Sequence, residues 1–159
     1  MSSLNLEKYD EWKDDPDMIG DVMRFLDNVL SDFINKAPEQ FKDAKYSAER
    51  ERSVGLGVMG FHSFLQKKRI PLESVMAKSW NKKIFKNIHE KVNQASKDLA
   101  EERGACPDAA EYGFKERFSN KTAIAPTASI SIICGGASPG VEPIAANSYT
   151  HKTLSGSFN

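Results

Sequence analysis

Apolar residues recur at helical spacing in two long stretches of the chain. The first stretch follows Asp15 and Pro16, which suit a helix start because a carboxylate can cap it and proline fits the first turn. The stretch ends at Pro38, and its spacing predicts one helix with a wide apolar face. The positions that we expect to lie in the core include Leu26, Leu30 and Phe33.

The second stretch predicts the longest helix of the chain, over residues 74–103, with Gly104 as its C-terminal stop. Lysines occupy the other faces of this helix, so we expect them to be solvated. The apolar stripe that should face the core consists of Met76, Trp80, Ile84, Ile88, Val92, Ala95 and Leu99.

Shorter elements are predicted between the two long helices. Residues 38–52 are polar and predict a loop with a short helix. Residues 53–58 predict a short strand in which Gly55 and Gly57 let another backbone come close. Residues 59–68 then predict a helix.

The rest of the pattern adds little regular structure, since residues 107–120 predict a loop with a short helix. We therefore expect a mixed α/β fold that is mainly helical and has few short strands. A chain of 159 residues that is 40% hydrophobic suits one globular unit over residues 1–159, with no separate second domain.

One neutral run, over residues 122–141, differs from the rest because Cys134 is its only ionisable side chain. A run of this length could cross a bilayer, but two prolines, three glycines and five hydroxyl side chains oppose a membrane helix. We interpret it as a short buried strand, residues 122–125, that ends at Pro126 and leads into a helix start with small side chains. The sequence therefore predicts no membrane segment.

A strand-to-helix turn of this kind presents free backbone N–H groups at the positive end of a helix dipole, which suits a phosphate. Small side chains let an anion approach the backbone closely. The alternative is an ordinary buried turn without a ligand. The candidate phosphate-binding residues are Pro126, Thr127, Ala128, Ser129, Ile130 and Ser131.

Charge is unevenly distributed although the formal net charge is zero. Residues 1–40 hold ten acids and four bases, whereas residues 41–100 hold thirteen bases and six acids. The basic middle could attract nucleic acid, but solvated lysines on a long helix explain it better, and aromatic residues do not alternate with the basic ones. We predict no nucleic-acid partner.

The two cysteines of the sequence and its possible metal ligands give no candidate reactive site. We expect Cys134 to be a small buried apolar residue and Cys106 to be a loop thiol without a particular role. No group of His, Cys, Asp or Glu has metal-ligand spacing in the sequence, so we predict no metal site.

Three blocks in the right order resemble the large, catalytic subunit of class I ribonucleotide reductase. They are residues 52–61, 95–107 and 125–143, the last extended by residues 147–158. The opening residues 2–6, Ser-Ser-Leu-Asn-Leu, resemble the same family. The resemblance covers nearly the whole chain.

This resemblance implies a piece of a ten-stranded α/β barrel. In the family, ribonucleoside diphosphates are reduced to deoxyribonucleotides for DNA replication by thiyl-radical chemistry, and the loop matching residues 126–131 holds the substrate diphosphate. The implied partners are this substrate, the remainder of the large subunit and the small subunit, which carries the metal and radical cofactor. We expect no cofactor on this chain, a cytoplasmic location and no disulfide.

The family's radical loop and redox cysteines are not among the matched residues. The radical loop precedes the matched region, one redox cysteine falls just before Ser2, and the radical-transfer tyrosines and cysteine-bearing tail belong beyond Asn159. We therefore expect no catalytic residue here and no activity from this chain alone. The alternative is a non-catalytic truncated remnant that acts as a helical scaffold or interaction module. Unpaired strand edges predict self-association or dependence on a partner.

Overall fold

Parallel pairing of short extended segments organises the amino-terminal part of the fold. The computed structural model describes residues 1–148, 150–153 and 156–158. Strand β1 (Ser2–Asn5) pairs in parallel with β2 (Leu56–Met59), with Ser2 opposite Leu56. Thr122 forms a parallel bridge to Leu56 on the other edge of β2. Strands β3 (His151–Thr153) and β4 (Gly156–Phe158) form an antiparallel pair of their own.

Helices make up most of the part of the chain that the structure describes, which confirms the mixed, mainly helical fold. Two short 3₁₀ turns cover Leu6–Lys8 and Glu39–Phe41. The α-helices are α1 (Tyr9–Trp12), α2 (Met18–Lys36), α3 (Lys42–Glu51), α4 (Phe61–Lys67), α5 (Val75–Arg103), α6 (Pro107–Glu111) and α7 (Ala128–Ile133).

Helix α5 has the ends that the sequence predicts, whereas α2 begins at Met18, so Pro16 lies before its first turn rather than in it, although Asp15 Oδ1 accepts from the Met18 amide at 3.1 Å. The Ser74 side chain caps α5 by accepting a hydrogen bond from the Ala77 amide at 3.1 Å. Gly104 ends α5 with a φ of 88°, a conformation that glycine adopts without a steric penalty. The core lies where α2 and α5 pack together and against β1 and β2. It includes Tyr9 and Phe64, whose rings pack edge to face.

The prediction that Leu26, Leu30 and Phe33 all lie in the core was wrong for Phe33, and Leu30 is half-buried. Leu26 is 5% exposed, but Phe33 is 39% exposed and its neighbours Phe25 and Val29 are 62% and 51% exposed. The apolar residues of α2 spread over more of the helix than α5 and α3 cover. Met76 of α5 is also exposed, because Ala77 takes the inward position in that first turn.

The predicted buried strand over residues 122–125 was also wrong. Thr122 makes the single bridge to β2, residues 123–125 are irregular, and Ile124 is 50% exposed. Only one edge of this segment pairs with another strand among the described residues, so its other side stays open to solvent.

The two cysteines exchange the environments that we expected, although both thiols are free. Cys134 is exposed, because it follows directly after α7 at the surface. Cys106 is fully buried at the start of α6, where its amide donates to the Glu116 carbonyl at 2.9 Å.

A close backbone approach at Gly57 joins β2 to the third parallel segment. A Cβ at this position would lie 2.1 Å from the carbonyl oxygen of Ala123, far inside van der Waals contact. Gly55 is less tight, with the Ala123 side chain at 3.0 Å. The close approach predicted for the two glycines is therefore real, and it is severe at Gly57.

We expect Gly57→Ala to destabilise the fold by about 1–3 kcal/mol, because β2 and residues 122–124 must move apart. Urea denaturation followed by circular dichroism measures the change. Gly20→Ala is the matched control, since nothing lies within 4 Å of the added methyl group in α2, and we expect it to stabilise by about 0.5–1 kcal/mol. Equal effects of the two variants would contradict the close-approach interpretation.

A fully buried carboxylate, Asp27 of α2, binds three arginines. Arg52 donates to its Oδ1 at 2.7 Å, Arg117 to Oδ1 at 2.9 Å and Arg103 to Oδ2 at 2.9 Å. Burial acts to raise the pKa of Asp27, but the hydrogen bonds from Arg117, Arg52 and Arg103 outweigh it and hold the pKa below its ordinary value.

Asp27→Asn should therefore lower the free energy of unfolding by about 3–5 kcal/mol, since it leaves three guanidinium groups without their counter-charge. Because the folded pKa is depressed, the carboxylate stabilises the fold above the unfolded pKa of about 3.9, and this contribution is lost as pH falls through the folded value. Urea denaturation at a series of pH values between neutral and strongly acid should show a weaker acid dependence in the variant.

Asp32→Asn serves as the control, because Asp32 lies on the same helix in an exposed pair with Lys36. We expect it to change stability little. A loss for Asp27→Asn as small as that for Asp32→Asn would show that the buried cluster does not hold the helices together.

Within the described residues, no helix is long and apolar enough to cross a membrane. The same residues contain no group of three or more His, Cys, Asp or Glu side chains that could hold a metal ion.

Candidate functional site

The candidate loop lies where the carboxyl ends of the parallel segments meet. Strand β1 ends at Asn5 and β2 at Met59, while the third segment runs from Thr122 into the loop. The Asn5 side chain donates to the Cys134 carbonyl at 3.4 Å, which joins the end of β1 to the end of α7. In open parallel sheets this edge is where ligands bind.

Helix α7 begins at Ala128, directly after Thr127. Thr127 adopts the left-handed conformation with a φ of 53°, which is unfavourable for a β-branched residue. The first backbone amide that bonds within the turn belongs to Ser131, which donates to the Thr127 carbonyl at 2.9 Å. The N–H groups of residues 128–130 have no acceptor among the described residues, as expected for the first turn of a helix.

The hydroxyl side chains of the loop have different roles. Thr127 is 7% exposed, and its Oγ1 accepts from the Gly140 amide at 2.8 Å. Ser131 is 2% exposed, and its Oγ donates to the Ala128 carbonyl at 3.2 Å. Ser129 is exposed. The six predicted residues therefore form one continuous turn, but Thr127 and Ser131 stabilise the turn itself while Ser129 faces solvent.

The charge around the loop comes from the backbone. The sequence has no lysine or arginine between Lys121 and Lys152, and Lys121 pairs with Glu116 at 3.0 Å. The N–H groups of residues 128–130 and the dipole of α7 both favour an anion here. None of the six loop residues carries an ionisable side chain, so the loop can hold a charged group but supplies no acid or base of its own.

A cavity lies beside the segment that leads into the loop. It is a cavity of about 660 Å³ between β2, α5 and residues 122–124. Apolar side chains such as Leu56, Phe85 and Ile124 line it, with His89 at its rim, and none of the six predicted residues contributes. Its lining is mostly apolar, with Lys86, His89 and Thr122 as the residues that carry polar side chains, so it suits a charged substrate less well than the loop does.

Sequence reasoning missed the residues that support the loop from outside. Ser63 and Ser138 exchange hydrogen bonds across 75 positions of sequence, and Gly140 bonds Thr127 across 13. Three glycines after the loop are the sequence feature that indicates a tight turn there. All three, Gly135, Gly136 and Gly140, have positive φ. Nothing in the sequence indicated that the residues after this turn contact α4.

The model of the ribonucleotide reductase barrel domain matches residues 1–116 and 107–159. The chain belongs to this family. The family predicted from three sequence blocks is therefore confirmed, and so is the fold as a piece of its α/β barrel.

Relatives in the ribonucleotide reductase family align along almost the whole chain. The ribonucleoside-diphosphate reductase large subunits of Invertebrate iridescent virus 6 and Invertebrate iridescent virus 3 are 51% and 47% identical to it over 99% of its residues. The Actinobacillus ureae class Id ribonucleotide reductase alpha subunit is 41% identical, covers 91% of the chain and superposes with a TM-score of 0.85.

The chain spans only a minor part of those proteins. It covers 16% and 25% of the two viral subunits and 28% of the Actinobacillus ureae chain. The match therefore establishes the family and the fold of this segment. The activity of the longer proteins is proposed for this chain and is not shown by the match.

Proposed function

We propose that this chain supplies the substrate-phosphate loop of a ribonucleotide reductase large subunit. Residues 126–131 would bind the diphosphate of a ribonucleoside diphosphate during its reduction to the deoxyribonucleotide. The radical and redox thiols of that thiyl-radical chemistry would come from other parts of the large subunit. The metal and radical cofactor would be carried by the small subunit.

The observation that carries this proposal is the set of unpaired N–H groups on residues 128–130 at the carboxyl edge of parallel segments. A diphosphate accepts several hydrogen bonds at once, and charged acceptors strengthen each of them. Ser129 adds an exposed hydroxyl beside these amides. The loop therefore offers binding without chemistry, which fits a supporting role in a larger active site.

The sheet supports the second part of the proposal, that other residues complete the barrel. Two paired strands and one bridged segment leave open edges, whereas a barrel requires every strand to be paired on both sides. We expect residues 1–159 alone to be inactive for that reason, and also because Cys106 and Cys134 match no redox position of the family. Free thiols at Cys106 and Cys134 suit a reducing compartment such as the cytoplasm.

Ser129→Pro tests the role of the amides. Proline removes one N–H donor, and the first turn of a helix tolerates it. Loss of a hydrogen bond to a charged group costs about 1.5–3 kcal/mol, so we expect Kd for a ribonucleoside diphosphate to rise roughly tenfold or more. Titration followed by ¹H–¹⁵N NMR measures Kd and shows whether residues 128–130 shift.

Met76→Pro is the matched control, because Met76 is exposed and occupies the same second position in α5. It should leave nucleotide binding unchanged. A folded wild-type chain that binds no ribonucleoside diphosphate would contradict the proposal and favour an interaction module instead. Binding that Ser129→Pro leaves intact would place the ligand elsewhere.

A further inference from the structure

The first turn of α4 binds the segment that follows α7. Gly60 donates its amide to the Ser138 carbonyl at 2.7 Å. Ser63 donates its amide to the Ser138 hydroxyl at 3.1 Å, and Ser138 donates its own amide to the Ser63 hydroxyl at 2.8 Å. Farther along, the Ile144 amide donates to His62 Nδ1 at 3.2 Å. Ser138 is fully buried, so its polar groups form these hydrogen bonds instead of hydrogen bonds to water.

The same segment is bound to the candidate loop on its other side. The Ala137 amide donates to the Ser131 carbonyl at 3.0 Å, and the Gly140 amide donates to Thr127 Oγ1 at 2.8 Å. Ser138 lies between these two contacts in sequence. A displacement of Ser138 therefore moves both ends of the turn at once.

Thr127 is the residue that needs this support. A left-handed threonine is strained, and strained backbone persists only where its surroundings hold it. The bond from Gly140 occupies one acceptor position of the Thr127 hydroxyl, and a hydroxyl that accepts one N–H retains its own proton for another partner. Its conformation also sets the direction in which the next three amides point.

We propose that Ser63 and Ser138 are a positioning pair for the phosphate loop. Their reciprocal hydrogen bonds fix residues 137–140 against α4, and this segment holds Thr127 in the conformation that aims the N–H groups of residues 128–130 at one point. Neither serine touches the phosphate. This role rests on the phosphate-binding function proposed above.

The test compares Ser63→Ala, Ser138→Ala and the double variant with the wild-type chain, using inorganic pyrophosphate as the probe. We expect each single variant to raise Kd about tenfold, because one well-aligned hydrogen bond from a loop amide to the anion is lost. Each hydroxyl accepts a different one of the two bonds, so the double variant should bind at least as weakly as either single variant. Ser63→Thr keeps the hydroxyl and should restore most of the affinity.

A readout independent of binding is the amide signal of Gly140 and Thr127 in ¹H–¹⁵N NMR. Both signals should shift in Ser63→Ala. Ser47→Ala is the matched control, because Ser47 is an exposed helical serine on α3 that bonds only Glu51 within the described residues. It should change neither these signals nor Kd.

The outcomes separate the two proposals. If Ser63→Ala binds pyrophosphate as tightly as the wild-type chain does, the positioning role is overturned, even if the variant is less stable. The assignment of the loop as the phosphate site is then unaffected. A folded wild-type chain that binds no pyrophosphate overturns the proposed function and this role together. Weakened binding in Ser63→Ala with rescue by Ser63→Thr supports the pair.

Discussion

The buried carboxylate of Asp27 fixes where the parallel segments begin. Arg52 lies four positions before β2, and Arg117 lies five positions before Thr122, and both donate to this one side chain. Arg103, the last residue of α5, donates to the same carboxylate. One charged group on α2 thus sets the starts of two extended segments and the end of the longest helix. Replacing Asp27 alone is costly, because three guanidinium groups then lose their shared counter-charge.

The candidate site follows from that alignment. Since the segments start together and run in parallel, their carboxyl ends also lie together, at Asn5, Gly60 and the turn around Thr127. The close approach at Gly57 carries the third segment to this edge. The loop then presents backbone amides rather than charged side chains, so its function depends on the accuracy of its backbone conformation. The contacts from α4 to Ser138 hold the segment that follows α7, and we propose that they fix this conformation.

Local rules predicted the parts of the fold that local sequence determines. The caps at Ser74 and Gly104, the helix that follows Pro16 and the start of α7 after Pro126 were all readable from neighbouring residues. Burial was predicted less well, because it depends on which other elements cover a face. Apolar spacing could not show that Phe25 and Phe33 of α2 are exposed, or that Cys106 is buried while Cys134 is not. The Ser63–Ser138 pair was unreadable, since it joins residues 75 positions apart.

The central claim is that this chain holds the substrate phosphate in a barrel that other residues complete. A ribonucleoside-diphosphate reduction assay tests it most directly, with this chain alone and mixed with separately made flanking segments of the large subunit and with the small subunit. We expect no turnover from the chain alone, and turnover from the mixture that disappears when this chain is omitted. Turnover by the chain alone would contradict it, and so would an inactive mixture in which the segments demonstrably associate.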